Sequence, residues 1–383
     1  MDLSLASKLP DVGTTIFSVM SALAAEHDAL NLSQGFPDFE PPDLLKLRVT
    51  ERIAAGHNQY PPMHGIAPLR EAIATSLAAC HGIAVDPESE ITVTSGASEG
   101  LFSALLALVQ PGDEVIVFDP AYDLYEPAIR LAGGRARRLP LRPPGHTIDL
   151  DRLAAAIGDR TRALIVNTPH NPTGSLLDAA TLDAIAGLVA DSRCLVLSDE
   201  VYEHITFDGR GHASVLANAA LRERAAAVYS FGKTYHATGW KVGYVVASAA
   251  VTAEIRRVHQ FNTFTTASPL QWALADFLAA EPDFAATIAP FYEAKRDRFL
   301  AALAASRFTL RPSAGTYFQL ADYSAISDAP DTEFVRTLTA EHGVAAIPLS
   351  VFYERPPRQR LVRFCFAKAD STLDEAAERL CAI

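Results

Sequence analysis

The segment Ser230-Phe231-Gly232-Lys233-Thr234, followed by Gly239-Trp240-Lys241-Val242-Gly243, sets a lysine just past an apolar run at 226–229. At a strand end of that kind an amine is partly desolvated, its pKa falls, and it becomes a nucleophile toward carbonyl carbon. A lone lysine is more often a solvated surface group, so the case rests on its company. Leu197-Ser198-Asp199-Glu200-Val201-Tyr202 ends a second apolar run in a carboxylate. An acid there is costly to bury without a cationic partner. A protonated ring nitrogen, a metal ion or a helix start would each serve. Tyr202, three residues on, offers a hydroxyl to a ring held there.

Further segments share this placement. Thr94-Ser95-Gly96-Ala97-Ser98-Glu99-Gly100 opens a helix with small residues, so backbone N–H groups can approach a phosphate, aided by the helix dipole. A Ser-Gly start is also an ordinary helix cap. Asp119-Pro120-Ala121-Tyr122 offers an aromatic face for stacking on a ring, or a core tyrosine. Asn167-Thr168-Pro169-His170-Asn171-Pro172-Thr173-Gly174 stiffens the Asn171 amide between prolines, although an Asx turn reads similarly. Leu361-Val362-Arg363-Phe364-Cys365-Phe366 carries an arginine able to clamp a carboxylate with two parallel hydrogen bonds, unless it faces water from a sheet edge. In Asn31-Leu32-Ser33-Gln34-Gly35-Phe36-Pro37-Asp38, Gly35 lets a backbone amide approach that same carboxylate. With Ser230 and Lys241 as phosphate contacts, these segments supply partners for the phosphate, ring and aldehyde of pyridoxal phosphate. No metal is expected.

The elements that must hold these residues alternate. Short β-rich runs at 91–94, 114–118, 136–139, 163–167, 195–198, 226–229 and 243–247 are separated by helical stretches such as 100–109 and 179–190. Continuous apolar blocks such as 163–166 suit strands covered on both faces. The expectation is an α/β fold: a seven-stranded, mostly parallel sheet sandwiched by helices, with ligand residues at the strand ends. After Pro269 a long helical stretch (270–280, then 284–306) leads to strand candidates at 316–320 and 361–366. A last helix is expected to open with the capping signature Ser371-Thr372-Leu373-Asp374. Two domains are expected: a large one over 43–280, and a small α+β one built from 1–42 and 281–383.

Bulk properties agree. A net charge of −12 gives no basic field for nucleic acid or anionic membrane, so any phosphate needs a local site. No apolar run is long enough to span a bilayer. Met1 to Pro10 shows no charged n-region followed by an apolar core, so a cytoplasmic protein is expected. The four cysteines (Cys80, Cys194, Cys365, Cys381) form no C-x-x-C pair, and Cys194 and Cys365, in apolar strand-like runs, read as reduced core thiols.

Taken together, Ser-Phe-Gly-Lys-Thr…Thr-Gly-Trp-Lys-Val-Gly, Pro-His-Asn-Pro-Thr-Gly, Ser-Asp-Glu-Val-Tyr and Val-Arg-Phe-Cys-Phe closely resemble the fold-type I pyridoxal-phosphate-dependent aminotransferases of class I/II. Within the class the chain looks most like the branch of bacterial methionine aminotransferases and kynurenine/glutamine aminotransferases. Leu9–Phe17 and Gly343–Ser350 are similar to the methionine enzymes in particular. The resemblance implies that Lys233 bonds the cofactor aldehyde and Asp199 pairs with the pyridine nitrogen. It gives Asn171 and Tyr202 to the ring oxygen and Tyr122 to the ring face. Gly96, Ala97, Ser230 and Lys241 go to the phosphate. Arg363, Asn171 and Gly35 go to the substrate carboxylate, with Phe17 in the substrate pocket. Tyr60 reaches the phosphate of a partner subunit and Phe264 lines its pocket, which implies a homodimer with shared active sites. Relatives of the mammalian kynurenine type carry a tryptophan near Ile16 or Phe17 and a histidine at Thr265, so kynurenine is not expected as the main substrate.

The implied activity is ping-pong transfer of an amino group to a 2-oxo acid. With walls Phe17, Tyr60, Tyr122 and Phe264, and no second arginine for a side-chain carboxylate, methionine is expected first, then aromatic amino acids and glutamine. The alternatives are a β-lyase such as a cysteine-S-conjugate β-lyase, or a kynurenine–oxoglutarate transaminase, on the same fold. A ligand-sensing regulator would need a helix-turn-helix that the segment before the core leaves no room for. A nicotinamide enzyme would need a G-x-G-x-x-G after a strand, and none occurs.

Overall fold

The computed structural model describes residues 5–383; residues 1–4, the start of the segment read for a leader, lie outside. All seven expected strands form one sheet: β1 Ile91–Thr94, β2 Glu114–Asp119, β3 Arg135–Pro140, β4 Thr161–Asn167, β5 Leu195–Asp199, β6 Ala225–Ser230 and β7 Gly243–Ala247. Their order across it is β1-β7-β6-β5-β4-β2-β3. β7 runs antiparallel to β1 and β6, and the other pairings are parallel. Alternate residues enter two cores. Ala163 and Ile165 of β4 join Leu101, Leu105 and Val228 beneath the helix Gly96–Leu108. Leu164 and Val166 join Ile73, Leu182 and Phe277 beneath the helices on the other face. This two-sided burial is why the strands read as unbroken apolar runs. β3 closes one edge, and its three arginines leave that edge polar.

A third core, around Phe299, Phe318, Phe364 and Leu373, also takes in Met20 and Leu32 from the N-terminal segment. Its sheet is antiparallel, ordered Ile347–Pro348, Leu361–Cys365, Phe318–Asp322, Thr309–Leu310. Leu30–Asn31 pairs in parallel with Val344–Ala345, tying the beginning of the chain to this lobe.

Three local expectations need correction. The helix placed at 100–109 begins at Gly96. The strand placed at 316–320 begins at Phe318, because Thr316 turns left-handed (φ 63°) and donates its N–H to the Ile205 carbonyl. The last helix spans Asp370–Cys381, and its cap Ala369 makes no side-chain capping bond. Its N-terminus is capped in trans by Asp38, whose carboxylate accepts from Ala369 N and from Thr372 Oγ1. Among the described residues no helix is long and apolar enough to cross a membrane.

Candidate active site

The carboxyl ends of β4, β5 and β6 open into one cavity of about 280 Å³, walled on the far side by Gly35, Phe318 and Arg363. Twelve of the residues singled out by sequence line it: Phe17, Gly35, Gly96, Ala97, Tyr122, Asn171, Asp199, Tyr202, Ser230, Lys233, Lys241 and Arg363. A larger groove of about 1360 Å³ lies beside Pro143–Thr147 and Arg311 and contains none of them, so size alone does not mark the site.

β6 ends at Ser230, and one helical turn, Phe231–Thr234, lifts Lys233 into the cavity. Burial lowers the amine pKa to about 8. Lys233 Nζ donates to the Tyr317 hydroxyl at 2.8 Å and to the Gly35 carbonyl at 3.2 Å. Asp199, at the end of β5, has burial as its dominant influence and is pushed up to about 6. Its carboxylate accepts from Tyr125 OH at 2.7 Å and, at 3.4 Å, from Val201 N. Among the described residues it has no ion-pair partner. A buried acid with two neutral donors and one side facing a cavity is suited to a cationic ligand.

The helix Gly96–Leu108 aims its first turn at the same space. Its N-cap Ser95 makes no side-chain capping bond; Ser95 Oγ turns instead to Thr266 Oγ1 at 3.2 Å. Gly243 lets this turn approach, since a Cβ there would stand 2.8 Å from Ala97 N. Lys241 Nζ reaches Ser98 Oγ at 3.4 Å, which puts an ammonium beside the helix start. Lys241 (φ 53°) and Phe264 (φ 70°) both hold left-handed backbone, uncommon outside glycine and concentrated at functional sites.

Arg363 does not face water from an edge. It is fully buried. Nη1 donates to Asn171 Oδ1 at 2.7 Å and Nη2 to the Ser33 carbonyl at 2.8 Å, while Nε has no partner among the described residues. The Phe318 ring lies 3.9 Å from the guanidinium carbon. Asn171 is itself oriented by its N–H, which donates to Asn167 Oδ1 at 2.7 Å. A guanidinium held on neutral carbonyl oxygens keeps its charge free for an anion.

Tyr60 and Phe264 stand apart from the cavity. They are 85% and 43% exposed and meet edge to face at 5.4 Å. Sequence reasoning missed Tyr125 and Tyr317, whose hydroxyls touch Asp199 and Lys233. It also passed over Gln34, Phe36, Ser98, Thr238 and Phe318, which line the cavity. Several of these sit inside the quoted motifs, so proximity in sequence was the available signal.

Behind the turn that follows β5 lies a second polar group. Glu200 Oε1 accepts from Ser198 Oγ (2.8 Å) and Val215 N (3.0 Å), and Oε2 from His212 Nε2 (2.9 Å) and Tyr229 OH (3.0 Å). Glu203 pairs with His81 at 2.6 Å and lies 3.5 Å from His204. His81, Glu203 and His204 each bring one metal-ligating atom within 4.8 Å of the others.

The family profile Aminotransferase class I and II matches residues 27–380. A methionine aminotransferase of Escherichia coli K12 is 55% identical over 374 residues, 98% of this chain and 97% of that one. A probable N-succinyldiaminopimelate aminotransferase of Mycobacterium tuberculosis is 41% identical over 98% of this chain and 97% of that one. The crystal structure that identified a methionine aminotransferase function in an E. coli protein superposes with a TM-score of 0.98 at 54% identity, covering all of both chains. Motifs, fold and near full-length likeness agree: this chain belongs to the class I and II aminotransferases and is a transaminase.

Proposed function

We propose that the enzyme uses pyridoxal phosphate to move the amino group of methionine, and less readily of aromatic amino acids and glutamine, to a 2-oxo acid. The observation that carries this reading is the meeting of a lowered-pKa amine, a cation-seeking acid and a buried guanidinium in one cavity. The residues fit the cofactor: Asp199 faces the cavity with no ion-pair partner among the described residues, and the N-cap Ser95 makes no side-chain capping bond to the helix start at Gly96. When bound, pyridoxal phosphate supplies an aldehyde for amine exchange and a ring that draws electrons from the substrate Cα.

Lys233 would hold the aldehyde carbon, Asp199 the ring nitrogen, and Asn171 with Tyr202 the ring oxygen. Tyr122 would cover the ring face. Gly96, Ala97, Ser230 and Lys241 would hold the phosphate. Once free, Lys233 Nζ takes the proton from the substrate Cα, a task suited to a base whose pKa is near the working pH. Arg363, with Asn171 and Gly35, grips the substrate carboxylate and so fixes which Cα bond faces the amine. Phe17 lines the cavity, and Phe318 lies against the clamp, so the side-chain pocket is apolar. That favours a thioether or an aromatic ring over a charged group. The likeness to a methionine aminotransferase supports the same choice.

In this reading Tyr60 and Phe264 serve the site of a second copy, making a homodimer; their exposure in one chain supports it. The chain divides into a large domain, 43–280, and a small one made of 1–42 and 281–383, and the enzyme works in the cytoplasm. The test is a scan of amino donors and oxo-acid acceptors on purified holoenzyme, with Lys233→Ala alongside. Methionine giving the highest kcat/KM, and loss of both turnover and visible cofactor absorption in the variant, are expected. Turnover surviving in Lys233→Ala would overturn the assignment. Ammonia and pyruvate released from cystine-like substrates, with no amino transfer, would favour the β-lyase.

A further inference from the structure

We propose that Tyr317 is a positioning residue for Lys233: its hydroxyl, anchored on the Gly35 carbonyl, holds the lysine amine whenever that amine is not bonded to cofactor. The proposal rests on the role given to Lys233 above.

Tyr317 is fully buried and precedes the small-lobe strand Phe318–Asp322. Its hydroxyl donates to Gly35 O at 2.6 Å. That commits its one proton, so toward Lys233 Nζ, 2.8 Å away, the phenol oxygen acts as acceptor. The ring is fixed edge to face against Tyr202 (5.2 Å) and Phe318 (4.9 Å), so the oxygen cannot swing aside without repacking the aromatic cluster. Three parts of the chain meet here: the N-terminal segment through Gly35, the large sheet through Lys233 and the small lobe through Tyr317.

The consequence concerns Asp199. A free ammonium and a free carboxylate in one cavity attract each other, and a Lys233–Asp199 pair would fill the place the ring nitrogen needs. Tyr317 and Gly35 give the amine a different resting place, and no Lys233–Asp199 ion pair forms among the described residues. The Tyr202 ring centre lies 5.6 Å from the amine, and Lys241, Arg363 and Cys365 act on it through space. None of them offers the amine a hydrogen bond.

The experiment uses site-resolved acylation. The chain has six lysines, so each can be followed by peptide mass spectrometry across a pH series in cofactor-free protein. Loss of the acceptor in Tyr317→Phe weakens the ammonium more than the neutral amine. The Lys233 labelling midpoint should fall by about one pH unit, with exposed Lys8 unchanged as internal control. In the holoenzyme kcat should fall about tenfold with KM for the amino donor within about twofold, since Arg363 and Asn171 keep their own hydrogen bonds. An unmoved Lys233 midpoint in folded Tyr317→Phe overturns the proposal. If that variant does not fold, difluorotyrosine at position 317 keeps the shape and weakens the acceptor; the same shift, smaller, is expected, and its absence is equally fatal. Borohydride trapping of pyridoxal phosphate on wild-type Lys233 separates the two levels. If trapping fails, the cofactor reading falls and the proposal with it. If it succeeds and the midpoint is unmoved, Tyr317 alone is ruled out.

Discussion

Asp199 and Glu200 are adjacent, both buried, and opposite in character. Burial pushes Asp199 up to about 6, because two neutral donors do not offset desolvation. Glu200 suffers the same desolvation, yet the His212 charge and four hydrogen bonds hold it below the usual carboxylate range. Glu203 behaves likewise: desolvation is outweighed by His204 and His81. The cavity side of the turn is thus electrically open and the rear side is closed. Burial of an acid does not identify a site; an incomplete set of partners facing a cavity does. The rear group has metal-ligating atoms, but its carboxylates are already matched by His212 and His81.

The largest test of this contrast is catalytic. Asp199→Asn should lower kcat about a thousandfold, because a neutral amide cannot hold a protonated ring nitrogen. Glu200→Gln, one residue away, should leave kcat within about threefold once the protein is folded. Steady-state kinetics on both variants decides, and equal losses would break the comparison. Next in size is stability. Glu200→Gln strands His212 in the core and should cost about 3 kcal/mol in denaturant unfolding, as breaking a buried pair does.

A third test runs in the opposite direction. The folded pKa of Asp199 lies above its unfolded value of 3.8, so its contribution favours folding below 3.8 and is lost as pH rises through about 6. Cofactor-free Asp199→Asn should therefore be more stable than wild type by about 3 kcal/mol near pH 8, and equal to it below about pH 3. Thermal unfolding at the two pH values checks the sign. The smallest effect is expected from Tyr125→Phe, which removes one of the two donors to Asp199. The acid should become still harder to ionise, weakening cofactor affinity by about tenfold or less, measured by equilibrium titration.

Much of this was readable from the sequence, for a physical reason. Strands covered on both faces are continuous apolar runs, so all seven were found, and the five that differ are longer by one or two residues. The groups at their ends are local in sequence to the strands, so Lys233, Asp199 and Asn171 came with them. What escaped was tertiary. Tyr317 meets Gly35 across 282 positions and Tyr125 meets Asp199 across 74. The cap of the last helix comes from Asp38, 331 positions away, and no local pattern announces it. The Ser371–Asp374 signature looked sufficient because local capping is the commoner solution.

The strapping of residues 30–38 onto the carboxyl-terminal lobe has a consequence for the newborn chain. Ser33 must wait for Arg363, 330 positions later, before their hydrogen bond can form. At ordinary ribosomal speeds that is a delay on the order of tens of seconds. Throughout that interval the apolar residues of the amino-terminal segment lack their final neighbours. A polypeptide stalled before its last sheet strand would leave the ribosome with Lys233 already made and Arg363 still missing.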